Sequence, residues 1–469
     1  MEKSTRKWHR RTLYLLFHFL LFYFSTYLWA QNSIPFAEVA PILQTLREDL
    51  VPADLRGKSS SELAASWPEW VRQHDAVTRA RIQEGDEDSL VYLLLYGTTF
   101  TQRPRASERD LAALVARPAD AVASLRPRIE GFVSSVASPG ANERLQFARQ
   151  LFVAKGMDPA TGAGRNAARE YLDRRLQAAA AGGVLRSSVL LDKDAQLSDT
   201  LTLFRDRGLS SDTSIFINHG IDQTINALKE SGQLTPGSVR RVAIVGPGLD
   251  FTDKLEGYDF YPQQTIQPFA VIDSLRRYGL ASEDLRVAAF DLSPRVLMHL
   301  EAARERARAG GAYTLVVPRN TDRPWSPALV NYWQRFGDRI GKETKAPVAP
   351  PGAGKVAARA VLVAPAVVQT VAEHDLNIVT DRIEPAAASD RFDLVIATNI
   401  LLYYDVFEQT LAAANVAKML RPGGFLLTNN RIFELPDIPL GGVGYTDVTY
   451  MSLAGIGDTG DRIIWYQRR

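Results

Sequence analysis

Four short stretches of the 469-residue chain combine residue types and spacing that could do chemistry. The first is Val245-Gly246-Pro247-Gly248-Leu249-Asp250, an apolar run closing on two glycines. Glycines at Gly246 and Gly248 permit a tight turn and let backbone amides approach a ligand closely, and Asp250 stands beside them as a further polar contact. The second is Phe290-Asp291-Leu292-Ser293-Pro294. A carboxylate at the end of the neighbouring strand can accept both ribose hydroxyls of an adenosine ligand, which makes Asp291 the candidate. Its alternative is a helix N-cap, a role open also to Ser293, with Pro294 suited to the first helical turn. The third is Asp381 in Thr380-Asp381-Arg382-Ile383, placed to accept from an adenine amino group or to pair with an arginine. The fourth runs from Phe392 to Asp405 (FDLVIATNILLYYD), a buried-strand pattern entering a polar, aromatic loop. There Asn399 can orient an acceptor through its amide and Tyr403 can wall it in; Tyr403 and Tyr404 could equally pack on the sheet edge.

These stretches sit in one half of the chain. From about Ser238 short apolar strands alternate with helices: Val242–Val245, Pro268–Arg277, Val287–Phe290, Pro294–Arg308, Leu376–Thr380, Phe392–Ala397, Phe407–Leu420 and Phe425–Thr428. That alternation predicts an α/β fold, a Rossmann-like, doubly wound and mostly parallel sheet over residues 238–469. An insertion of roughly 311–373 interrupts it, and its Lys342–Lys355 stretch (KETKAPVAPPGAGK) reads as an exposed flexible loop. Residues 31–237 read as a preceding α-helical domain. Val39, Ile42, Leu43, Leu46 and Leu50 fall on one helical face, and Asn166–Ala181 is predicted helical up to a stop at Gly182-Gly183.

The ordered set resembles a class I S-adenosylmethionine-dependent methyltransferase. VGPG resembles the methionine-and-ribose loop, FDLSP the ribose acid, FDLVIATNILLYY the active-site strand, and LRPGGFLL the late turn before the fifth strand. Within that family the Asn399–Tyr404 run, and the Gln267-Pro268-Phe269 start of the first helix, are similar to the chemotaxis receptor methyltransferases. The resemblance implies S-adenosylmethionine as cofactor, bound by Gly246, Gly248, Asp250, Asp291 and Asp381, with Asn399 and Tyr403 on the acceptor side. It implies direct in-line transfer to an acceptor the sequence does not identify, and no metal.

The chain departs from the family pattern in places. Ile244 stands where an acid often precedes the first glycine, and Thr252–Ile266 separates the glycine loop from the first helix. Tyr258, Tyr261, Asp253 and Asp259 in that segment could cover the cofactor or pack as a surface loop. Upstream, Asn218-His219-Gly220 and Asp222-Gln223-Thr224 occupy the place of a polar helix laid over the cofactor, with His219 as a candidate. A nicotinamide dinucleotide reading would want a third glycine at 251, which is Phe251.

Composition narrows the rest. There is no cysteine, so disulfides, zinc ribbons and thiol nucleophiles are excluded. The net charge of +2 is carried by the first 30 residues, where Lys3, Arg6, Lys7, Arg10 and Arg11 face only Glu2. The remainder is slightly acidic, and no basic stripe interleaved with aromatics suggests nucleic acid. Residues 12–30 (TLYLLFHFLLFYFSTYLWA) follow that basic leader without a single Asp, Glu, Lys or Arg. They read as a signal peptide cleaved after Ala30, or as a membrane anchor, with the remaining chain extracytoplasmic. An over-long start would instead leave a cytoplasmic chain. Because S-adenosylmethionine is cytoplasmic, the alternative to an enzyme is an exported non-catalytic binding or structural module, which Ile244 favours and the joint presence of Gly246, Gly248 and Asp291 disfavours.

Overall fold

The computed structural model describes residues 30–107, 110, 116, 118–191, 208–209, 213–251, 257–385, 387–453 and 457–469. Apart from Ala30, the expected leader lies outside the described residues, as does Asp253. Among the described residues no helix is long and apolar enough to cross a membrane.

Strand β1 (Ala30–Ser33) leads into α1 (Phe36–Thr45) and α2 (Ser60–Tyr96), a helix of 37 residues. A capping box starts α2: Ser59 Oγ accepts from the Glu62 amide and Glu62 Oε2 accepts from the Ser59 amide. Then follow α3 (Pro118–Ala137), α4 (Glu143–Ala154), α5 (Gly162–Leu191) and α6 (Ile215–Glu230). Helix α5 does not stop at Gly182-Gly183. A glycine costs a helix interior only about 1 kcal/mol, which a long Ala- and Leu-rich helix absorbs.

The second half begins with β2 (Val239–Val245), α7 (Gln267–Arg277), β3 (Ala281–Asp291) and α8 (Pro294–Arg308). The insertion supplies β4 (Tyr313–Asn320), α9 (Pro327–Arg335), β5 (Gly341–Thr344) and β6 (Val356–Val363), and α10 (Pro365–Val368) follows. Its strands make their own antiparallel sheet in the order β4-β6-β5, so the stretch expected as a loop from Lys342 starts as strand. The chain continues through β7 (Val371–Asp375), β8 (Asp381–Glu384), β9 (Phe392–Ile396), α11 (Val406–Met419), β10 (Leu420–Thr428), β11 (Leu440–Leu453) and β12 (Gly457–Arg468).

Seven of these strands form one sheet in the order β11-β12-β10-β9-β2-β3-β7. The β10-β9-β2-β3-β7 pairs are parallel, and β12 enters antiparallel to β10 as part of a hairpin with β11. Side chains of β2 alternate across it, so both faces are buried, as a central parallel strand requires. Val242 and Ile244 join a cluster with Ile221 and Ile225 of α6 and Phe269 and Ile272 of α7. Ala243 and Val245 join the opposite cluster, with Val39 and Ile42 of α1, Trp67 and Val71 of α2, and Leu411 and Val416 of α11. The first helices of the chain therefore share a core with the sheet.

One expected strand is displaced. Leu376–Thr380 is a turn, and the third core strand is Val371–Asp375. Glu373 and His374 disguised that strand, since an edge strand tolerates polar residues. Leu376, Ile378 and Val379 are apolar because they fill the helical face of the sheet, not because they extend it.

The glycine loop's excursion is pinned by a buried arginine. From α4, the Arg144 guanidinium donates to the carbonyls of Phe251, Asp250 (3.2 Å), Asp259 (3.1 Å) and Tyr261 (2.5 Å). Removing it in Arg144→Ala strands buried acceptors, each costing about 1–3 kcal/mol. The expected loss of unfolding free energy is about 3 kcal/mol or more, read as a lower denaturation midpoint. A loss below about 1 kcal/mol would show that the loop is held otherwise.

Candidate functional site

In an open α/β sheet, ligands bind at the C-terminal strand edges where successive connections diverge to opposite sides. Here β2 hydrogen-bonds β3 on one side and β9 on the other, so the loops after β2 and β9 flank that crevice.

The β2 loop is the glycine turn. Gly246 takes φ +66° and Gly248 φ +70°, a region costly for residues with a Cβ. The Gly246 amide donates to the Phe290 carbonyl at 2.8 Å, carrying the β2–β3 ladder one step beyond the strand. A Cβ on Gly246 would stand 2.1 Å from Ile400 Cδ1, so the loops after β2 and β9 meet at that glycine. The Gly248 carbonyl accepts from Thr265 Oγ1 at 3.0 Å.

Asp291 stands at the end of β3, partly exposed. Burial pushes its carboxyl up to about 6, against the opposing pull of the Ser293, Gly248 and Leu292 amides. Its Oδ1 accepts from the Ser293 amide at 2.8 Å. That bond closes a short turn ahead of α8 and is not a helix cap; no side chain caps the helix, and the Ser293 hydroxyl has no partner among the described residues. The Gly248 amide faces the same carboxyl, which ties the two sequence candidates together.

The β9 loop carries the remaining candidates. Asn399 is exposed and has φ +58°, the only positive φ among the described non-glycine residues. Thr398 Oγ1 accepts from Gln267 Nε2, at the start of α7, at 2.9 Å. Tyr403 and Tyr404 are buried. Burial drives the Tyr404 hydroxyl well above the ordinary phenol range, so it stays protonated.

Helix α2 lies across this edge. Asp75 accepts from Asn377 Nδ2 at 2.9 Å, and Arg79 binds both oxygens of Asp375 at 2.8 and 3.2 Å. Arg81 Nη2 donates to the Tyr403 carbonyl at 2.8 Å, with its guanidinium 6.0 Å from the Tyr404 ring centre. Asp86 pairs with Arg295 in the first turn of α8. Four residues of one helix thus reach the loops after β3, β7 and β9.

Two sequence candidates fall elsewhere. Asp381 opens β8, which pairs with β1 and not with the main sheet, and its Oδ1 accepts from Ser33 Oγ at 2.7 Å. The carboxylate in register with Asp291 is Asp375. It was legible as an aspartate closing a strand, like Asp291, had Val371–Asp375 been recognised. Asp250 is buried, and its Oδ2 accepts from Tyr261 OH and Gln264 Nε2, both at 2.9 Å, so it braces its own loop.

The excursion after the turn is anchored in the helical half. Asp259 accepts from the amides and hydroxyls of Thr98 and Thr99, and Tyr258 and Tyr261 pack with Val316 and Ala360 of the insertion sheet. Phe251 is buried among helical-half residues such as Phe147. His219 is buried between Tyr332 and Tyr450, ring centres 5.3 and 6.4 Å away, and burial lowers it to about 4. It lies on the α6 face of the sheet, away from the crevice. Arg79, Arg81 and Asn429, whose side chain exchanges hydrogen bonds with the Asn399 amide (2.8 Å) and Oδ1 (2.6 Å), carried no local signal, because their partners are remote in sequence.

No family profile matches the chain, and no curated protein does. Among solved structures it is similar to magnesium protoporphyrin IX methyltransferase from Synechocystis PCC 6803, at 12% identity over 61% of this chain and 91% of that one, with TM-score 0.25. It is similar to TrmN from Thermus thermophilus at 12% identity over 57% of this chain, TM-score 0.25, and spans 53% of that protein's length. A TehB-like SAM-dependent methyltransferase from Corynebacterium glutamicum is 11% identical over 54% of this chain and 98% of its own, TM-score 0.22. None of the three is a chemotaxis receptor methyltransferase.

A carboxyl carbon titrating near pH 6 is expected in 13C spectra of the protein, absent in Asp291→Asn. Because the folded state holds this proton more tightly than the unfolded chain, Asp291's contribution to stability falls as pH rises from about 4 to about 6. A midpoint near 4 would show the carboxyl to be fully solvated. By its own strand order, the C-terminal half is a Rossmann-like, doubly wound sheet closed by an antiparallel hairpin.

Proposed function

We propose that this protein binds S-adenosylmethionine in the crevice between β2 and β9 and transfers its methyl group to an acceptor held by the β9 loop. The observation carrying this reading is the Gly248 amide turned toward Asp291 at the point where the sheet's connections diverge. The residues fit such a ligand: a turn with glycines of positive φ on either side of Pro247, an acid at the end of the neighbouring strand, and an adjoining polar loop.

Bound there, S-adenosylmethionine supplies a methyl group already activated on a sulfonium. The protein's task is then alignment and exclusion of water. Gly246 and Gly248 let backbone approach the ligand, and ionised Asp291 accepts from the ribose hydroxyls. Asn399 meets the acceptor through its amide, and Tyr403, its carbonyl held by Arg81, walls the pocket. Links from α2 to Asp375, Tyr403 and Arg295 hold the ends of the elements that border the site.

Calorimetric titration with S-adenosylmethionine is expected to give saturable binding at one site per chain. Asp291→Ala should weaken it at least about tenfold, or about 1.4 kcal/mol. Affinity should fall as pH drops below about 6, because the protonated acid accepts less well. Absence of binding by the intact protein would sink the reading.

A further inference from the structure

The insertion sheet reaches the glycine turn through buried hydrogen bonds. Tyr313, the first residue of β4, is buried, and its ring packs on Phe269 of α7 with ring centres 5.0 Å apart. Its hydroxyl accepts from the Thr265 amide at 2.7 Å and lies 2.7 Å from His299 Nε2 of α8. A backbone amide can only donate, so the hydroxyl is the acceptor at Thr265. Its own proton has one partner among the described residues, His299 Nε2, and a buried O–H left unpaired would be costly. His299 is therefore neutral, with its proton on Nδ1. Burial, with Arg306 and Arg295 nearby, lowers it to about 4, which keeps Nε2 an acceptor at neutral pH. Thr265, itself fully buried, passes the hold on: its hydroxyl donates to the Gly248 carbonyl at 3.0 Å. Gln264 makes a second link. Its Nε2 donates to the Val316 carbonyl of β4 at 2.6 Å and to Asp250 Oδ2 at 2.9 Å, and its Oε1 accepts from the Val316 amide at 2.7 Å. Two consecutive residues thus tie both ends of the Gly248–Asp250 stretch to β4.

We propose that Tyr313, oriented by His299, is a positioning residue for the cofactor turn: acting through Thr265, it holds the Gly248 amide on Asp291. The proposal rests on the methyl-transfer reading above. Gly248 needs such a hold because glycine adopts either sign of φ with little cost, so its φ of +70° is not set by its own stereochemistry. Fixing its carbonyl from outside limits the rotation that would carry its amide away from the Asp291 carboxyl. The ordering cost of the turn is then met in folding and not when the ligand binds. The insertion, which interrupts the main sheet's order, thereby gains a part in the reaction: its first strand braces the turn from the α7 face of the sheet.

The test uses the full chain, with Tyr313→Phe and Thr265→Val each removing one hydroxyl and little else. Two quantities are read: the midpoint of the Asp291 carboxyl carbon in 13C spectra, and S-adenosylhomocysteine affinity by calorimetry. The Gly248 amide pulls the Asp291 carboxyl down, so both variants should raise its midpoint above about 6. Both should weaken S-adenosylhomocysteine at least about fivefold. Thr265→Ser, which restores the hydroxyl, should recover most of both changes. Loss in Thr265→Ser equal to that in Thr265→Val would assign the residue to packing and overturn the proposal. If Tyr313→Phe does not fold, Thr265→Val and the His299 tautomer decide. In 15N spectra of the unsubstituted protein, assigned by loss in His299→Gln, Nε2 should be the unprotonated nitrogen; the opposite tautomer overturns the proposal. Absence of S-adenosylhomocysteine binding by the unsubstituted protein overturns the methyl-transfer reading and this inference with it. Binding, with midpoint and affinity unchanged in the folded variants, overturns this inference alone.

Discussion

The hydrogen bond from the Gly246 amide to the Phe290 carbonyl is the joint on which the site turns. It carries the β2–β3 ladder past the end of β2 and forces the chain into left-handed backbone, which glycine adopts without strain. Everything else at the crevice takes its place from this turn. Gly248 comes to face the Asp291 carboxyl, and Ile400 closes against Gly246 from the β9 loop. A Cβ at 246 would collide with Ile400.

The helical half completes the site by two different physical means. Its first helices bury Val39, Ile42, Trp67 and Val71 against the sheet, a non-directional attachment that scales with apolar area. The middle of α2 instead makes directional polar links to the strand-edge loops. The Arg79–Asp375 pair is substantially exposed, and such pairs contribute only about 0–1 kcal/mol each. That pair therefore positions the end of β7 without adding much stability, whereas Arg144, buried beneath the glycine loop's excursion, does both. That excursion also explains Phe251: the helix does not begin at the glycine turn, so residue 251 is free to enter the helical core.

Strain and perturbed ionisation coincide here. Asn399 is held left-handed by Asn429, and Asp291 is held by burial above the ordinary carboxylate range. Both are costs that packing alone would not select, and such costs concentrate at functional sites. His219 shows the contrast: its lowered ionisation comes with complete burial away from the crevice, as a packed core histidine.

The sequence by itself determined what is local. Periodicity placed α7, α8 and α11 within a residue of their ends, and the order of glycine turn, strand-end acid and polar loop singled out Gly246, Gly248, Asp291 and Asn399 as candidates. Such signals survive without a partner, because glycine's freedom and helix amphipathicity belong to a few consecutive residues. Only the tertiary structure decided which strands are neighbours. It exchanged Asp381 for Asp375, because register with Asp291 depends on how β7 docks on β3 and not on the apolarity of residues 376–380. It also brought Arg79 to Asp375 across 296 residues and fixed the Asn399 amide through Asn429. Those contacts exist only once the chain has closed on itself, and no local pattern encodes them.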